Sequence, residues 1–201
     1  MTAPMDRDTL AVIALLREAV ASSGLSQAGF ARALGTSAPR LSTYLGGDTR
    51  PSAHFLIRAQ RLSRALESSA ERRLMSAPAT AAAMRAYLLT GETEWVWRML
   101  LQGRDHLALI LAESDQALAD AWEAAPATTG SAQWDALLAA LAAHEFESAG
   151  LEAPAWAAGD PLPASWMPEH SFLGPEQVLA QTPDWLRRRN IYVPERDLVT
   201  A

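Results

Sequence analysis

The chain of 201 residues contains no cysteine, which removes disulfides, thiolate zinc sites and thiol nucleophiles and gives no sign of an oxidising compartment. It contains no lysine either, so all 17 basic residues are arginine. Schiff-base catalysis, a P-loop phosphate lysine and a serine–lysine dyad are excluded with it. No apolar run approaches the roughly 20 residues that span a bilayer. The opening MTAPMDRDTL lacks the basic region and apolar stretch of a signal peptide. These absences lead us to expect a cytoplasmic protein without membrane association. What remains is 49% hydrophobic with a net charge of -6, enough apolar material for one soluble domain or a small one with a helical extension.

The charge is unevenly spread. Residues 1–68 hold eight arginines against five acids, a net of +3, whereas residues 69–201 hold nine arginines against eighteen acids, a net of -9. A mildly basic head on an acidic body is expected where only one part meets a polyanion. All seven tryptophans lie in the second part. The weakly periodic stretch ESSAERRLMSAPAT marks the change, so we place a head at 1–68, a linker at 69–79 and a body at 80–201.

The head reads as successive short helices. Leu10, Ile13, Leu16 and Val20 form an apolar stripe at three-to-four spacing, and Gly24 stops that run. Ser26 caps a second helix carrying Phe30, Ala31 and Leu34 on one face, and Gly35 ends it. Ser37 caps a third, with Pro39 in its first turn, Leu41, Tyr44 and Leu45 inward, and Gly46 and Gly47 at its end. Pro51 and Ser52 open a fourth, with Phe55, Leu56, Ala59, Leu62 and Leu66 inward and Arg58, Arg61 and Arg64 largely outward.

Gln27, Ala31, Gly35, Leu41 and Tyr44 occupy the first, fifth, ninth, fifteenth and eighteenth places of a helix-turn-helix, where the fifth must be small and the ninth must turn. Over about residues 8–66 the segment resembles the Cro and lambda-repressor (XRE-type) helix-turn-helix family. The resemblance implies an all-α fold with an N-terminal lambda-repressor-like domain of four to five helices, whose third helix enters the major groove. It implies contacts to phosphate from Gln27 and Arg50 and groove-facing places for Ser37, Ala38, Arg40 and Thr43. Pro39 stands with them, and Ser42, Thr49 and Arg32 are weaker candidates. Arg40 is the long donor of the set, suited to guanine O6 and N7, with phosphate contact or a surface ion pair as its other readings. The family often carries glutamine or another polar residue where Ala38 and Pro39 stand here.

The body reads as further helices. Thr80 is expected to cap AAAMRAYLLTG, Thr93 to precede WVWRMLLQGRDHLALILAE, Ser114 or Asp115 to begin QALADAWEAA, and Ser131 to cap AQWDALLAALAAHEFESA. The Pro- and Gly-rich residues 150–175 are expected to form an ordered strap or a partner-binding strip. A short helix over Pro175–Gln181 follows, then an extended segment at Asn190–Val193 whose edge could join a partner's sheet. The triplet Arg187, Arg188 and Arg189 has two readings: contact to phosphate or an acidic partner, or pairing with Asp184, Glu195 and Asp197. The tail looks, more loosely, like the distal part of XRE-type regulators that hold a toxin.

No catalytic constellation is visible. His54, His106, His144 and His170 are scattered, and His144 lacks the second histidine of a zinc helix. Asp105–His106 and Glu169–His170 are sequence neighbours, which on a helix do not face each other. No glycine-rich phosphate loop, nucleophile elbow or dinucleotide fingerprint occurs. We expect no enzyme, no cofactor and no metal. The expected protein is a sequence-specific transcriptional regulator, most directly a repressor, acting as a homodimer on double-stranded DNA. Two alternatives stand beside it: an antitoxin that represses its own operon and neutralises a toxin through its C-terminal domain, and an adaptor that keeps the fold without binding DNA.

Overall fold

The computed structural model describes residues 6–169 and 172–199. Among them are ten α-helices and no strand, so the all-α expectation holds. The chain divides into two compact units, the first formed by residues up to 78 together with 115–127, the second by 79–114 and from 128 onward.

In the first unit, α1 (Arg7–Ser22) starts at Asp6, whose carboxylate accepts from the Thr9 amide at 2.9 Å. Its neighbour α2 (Gln27–Ala33) lies at 97° to it. The turn that follows has a defined hydrogen-bond pattern: Thr36 N donates to Ala31 O at 2.9 Å and Gly35 N to Arg32 O at 2.8 Å. This closure requires a left-handed residue just past the helix, and Gly35 supplies it at φ +67°. Then come α3 (Ala38–Gly46) and α4 (Ala53–Glu71), capped by the hydroxyls of Ser37 and Ser52. One cluster joins Leu16, Phe30, Ala31, Leu34, Leu41 and Leu66. Ala31 is 1% exposed; a longer side chain there would separate the crossing helices.

A fifth helix completes this core from far along the chain. The stretch Gln116–Glu123 (α7), which the sequence groups with the body, packs on α4. Ala121 and Ala124 enter the same apolar cluster, and the Trp122 indole donates to Met75 O at 2.9 Å. Arg61 of α4 bonds Asp120 at 2.9 Å and Glu123 at 2.8 Å. The Asp120 carboxyl is held above the usual carboxylate range by burial, against the opposing pull of Arg61.

The second unit contains most of α5 (Ala77–Thr90), then α6 (Thr93–Ala112), α8 (Ala132–Ser148), α9 (Pro175–Gln181) and α10 (Asp184–Arg187). Thr80 is no cap. Helix α5 begins three residues earlier, where Pro78 is tolerated in the first turn, and Thr80 is buried against Gly103 of α6. Arg104 of α6 reaches Glu145 of α8 at 2.7 Å. Trp134 lies edge-on to both Trp97 and Trp166, at 5.0 and 5.4 Å between ring centres.

The extended segment does not present its edge outward. Ile191 forms a parallel bridge with Trp166, the backbone bonds Trp166 N to Asn190 O at 2.9 Å and Tyr192 N to Trp166 O at 2.8 Å, and Ile191 and Val193 are buried. Asn190 itself is left-handed at φ 58°. Among the arginine triplet, Arg187 donates chiefly to the carbonyls of Leu179 and Thr182 at 2.7 and 2.8 Å, with Asp184 farther off at 3.9 Å. These carbonyls lie at the end of α9, where backbone acceptors lack helical partners. Arg189 donates to Ala157 O at 3.0 Å.

Candidate nucleic-acid interface

The interface is built around the start of α3. Ser37, at the cap, has its hydroxyl within 3.3 Å of the Arg40 amide, and Pro39 sits where no helical amide partner is lost. The Thr43 hydroxyl donates back to Arg40 O at 2.8 Å. Thus Ser37, Arg40 and Thr43 are tied to one another through the first turns of one helix. Ser37, Pro39, Arg40 and Ser42 are exposed, and Ala38 and Thr43 half-buried, while Leu41 and Tyr44 face the core. At the other end of α3, Gly47 adopts φ 81°. Arg17 of α1 donates to Leu45 O at 3.1 Å, tying the end of α3 to the first helix.

The Arg40 side chain is not free to sweep the surface. Its Nε donates to the Tyr44 hydroxyl at 2.8 Å, and its guanidinium carbon lies 5.9 Å from the Tyr44 ring centre. Tyr44 is only 5% exposed and its ring leans on Phe55 of α4 at 5.0 Å. Sequence reasoning registered Tyr44 only as core. The signal for its second role is the four-residue spacing from Arg40, which places the two on one helical face.

Arg50 lies in the loop between α3 and α4 and bonds Asp6 at 2.8 Å, with both side chains more than half exposed. Hydrogen bonds from the Thr9 amide and hydroxyl, with the charge of Arg50, hold the Asp6 carboxyl below the usual carboxylate range. Thr49 and Arg50 share a cleft of about 260 Å³ with Asp6, Thr9 and Tyr44. Gln27 and Arg32 are exposed at the first and last turns of α2. Asp6, Arg17 and Tyr44 are therefore the residues around this surface that sequence reasoning missed.

The first unit carries ten arginines against nine acids, a net of +1, once residues 115–127 are counted with it. Asp115, Asp120 and Glu123 lower the net charge by three, partly offset by Arg72 and Arg73 against Glu71, and the three acids engage Arg72 and Arg61. Around α3, Arg40 is engaged by a phenol and Arg17 by a carbonyl, neither of which cancels a charge, whereas Arg50 is paired with the Asp6 carboxylate.

Among the described residues no group of three or more His, Asp or Glu could hold a metal ion. His144 stacks flat on Trp185, 4.2 Å between ring centres, and His54 is exposed. His170 lies outside the described residues. Among the described residues no single helix is long and apolar enough to cross a membrane.

Comparison with known proteins agrees with this architecture. No curated protein and no solved structure matches the chain. Residues 12–75 match a family described as a helix-turn-helix domain, the kind of domain that DNA-binding regulators carry. The α1–α4 segment of this chain is a helix-turn-helix domain of the XRE-type regulator kind.

Proposed function

We propose that the protein is a sequence-specific transcriptional repressor that inserts α3 into the major groove of an operator. The observation that carries this reading is the exposed N-terminal end of α3, where Ser37, Ala38, Arg40 and Thr43 stand together on a helix fixed at both ends. In this reading Arg40 forks onto guanine O6 and N7, and the methyls of Ala38 or Thr43 meet thymine. Gln27 and Arg50 contact phosphate and set the register, with Pro39, Ser42, Thr49 and Arg32 at the edge of the footprint. Two copies place their α3 helices about 34 Å apart on successive groove faces. The second unit serves dimerisation or partner binding. Its exposed Phe172, at 90%, and a cavity of about 700 Å³ lined by apolar residues such as Trp97, Leu101 and Val178 and by charged ones such as Glu94 and Arg196 support that assignment.

Selection of bound duplexes from a random pool, followed by titration against salt, tests the proposal. Arg40→Ala should lose base preference, worth about 1–3 kcal/mol, and Arg50→Ala should weaken all duplexes and reduce the salt slope by about one ion. If neither variant changes affinity or slope, the groove assignment is wrong.

A further inference from the structure

We propose that Tyr44 is a positioning residue that sets base specificity through Arg40; the inference rests on the groove reading of α3. An arginine can fork onto a guanine edge either with Nε and one terminal nitrogen or with its two terminal nitrogens. Here Nε is already committed to the Tyr44 hydroxyl at 2.8 Å, which leaves the terminal pair for the base. The hydroxyl is itself well anchored, because the ring is 5% exposed and braced against Phe55. A long side chain held at its penultimate nitrogen loses fewer rotamers on binding and reaches fewer alternative acceptors, phosphate oxygens included. Tyr44 therefore never meets DNA, yet it determines whether Arg40 reads a base or drifts to the backbone. Arg40→Lys cannot substitute, because an ammonium carries all its donors on one nitrogen and has no separate planar pair to offer the base while that nitrogen is held by the phenol.

The experiment uses the full chain and the duplex selected from a random pool, compared with duplexes carrying each other base at the preferred guanine. Wild type should favour guanine by tenfold or more, within the roughly 5- to 150-fold expected of one bidentate contact. Tyr44→Phe keeps the ring and removes only the hydroxyl. It should cut the preference to within about threefold, leave binding to unrelated duplexes no weaker than in wild type, since a released Arg40 turns to phosphate, and melt within a few degrees of wild type. In an Arg40→Ala background the same substitution should change nothing, because the hydroxyl acts only through that guanidinium. Retained guanine preference in Tyr44→Phe, with the preference lost in Arg40→Ala, overturns the role of Tyr44 and leaves the groove reading standing. An equal loss of affinity for the selected duplex from Tyr44→Phe in both backgrounds overturns it too, by showing a general effect on the fold. A wild-type protein with no preferred duplex overturns the groove reading itself, and this inference with it.

Discussion

Trp122→Ala should cripple a helix-turn-helix domain that ends, by family match, 47 residues before it. The indole is 1% exposed and bonds Met75 O, and it belongs to a helix whose Ala121 and Ala124 enter the core of the first unit. Truncating a buried tryptophan costs about 3–5 kcal/mol, and losing its hydrogen bond adds about 1 kcal/mol. A loss of at least about 4 kcal/mol is a large share of the roughly 5–15 kcal/mol that holds a domain together. Hydrogen exchange followed by mass spectrometry reads this locally. Peptides from α1 and α4 that exchange only when the unit opens should do so about a thousandfold faster, at one decade per 1.4 kcal/mol. Peptides from α8 serve as the internal reference. Trp122→Phe, which keeps most of the apolar volume, should fall between the two. Unchanged exchange in α4 of Trp122→Ala would refute the claim that α7 belongs to this core.

Three further outcomes follow from particular contacts. Asp6→Asn keeps an acceptor for the Thr9 amide but releases Arg50; DNA affinity in an anisotropy titration should rise by up to about fivefold, the ceiling for an exposed pair, and a fall would contradict the account. Asp120 has a raised folded pKa, so the folded state takes up its proton first, and its contribution to stability grows as pH falls through the carboxylate range and is lost as pH rises. Urea midpoints of wild type relative to Asp120→Asn should therefore improve on acidification, whereas Asp6, with its lowered pKa, contributes with the opposite sign. A Cβ on Gly103 would lie under 3 Å from the buried Thr80 side chain. Gly103→Ala should cost about 1–3 kcal/mol by overpacking, with partial rescue by Thr80→Ala in thermal melts.

The helix-turn-helix was legible because its signals are local. Ser26, Ser37 and Ser52 each cap the helix that follows, and Gly35 takes the left-handed turn its position demands. Each of these depends on residues only three or four places away. The place of α7 was not legible, because the pairing of Arg61 with Asp120 and Glu123 joins residues 59 and 62 positions apart, and nothing in either stretch names the other. Summing charge along the chain made the head look more basic than the folded unit is. The tail was half-legible. Alternation at Ile191 and Val193 pointed to a segment that pairs through a single bridge at Ile191, but Asn190 is left-handed, and the partner, Trp166, came from the strap within the same unit. For the triplet, counting nearby acids found Asp184, 3.9 Å from Arg187, but not the carbonyls at a helix end that Arg187 reaches at shorter range.

For the candidate surface, the exposure of Ser37, Pro39, Arg40 and Ser42 followed from the helical repeat once Leu41 and Tyr44 faced inward. The restraint of Arg40 by Tyr44 and of Arg50 by Asp6 did not, since both depend on side-chain geometry.

The most direct measurement is dimethyl sulfate protection, since the methylated atom, guanine N7, lies in the major groove. On a duplex selected from random sequence, the wild-type chain should shield one guanine N7 per half-site and Arg40→Ala should leave that atom reactive while still binding. Full reactivity of every guanine N7 in a saturated wild-type complex would contradict the placement of α3 in the groove.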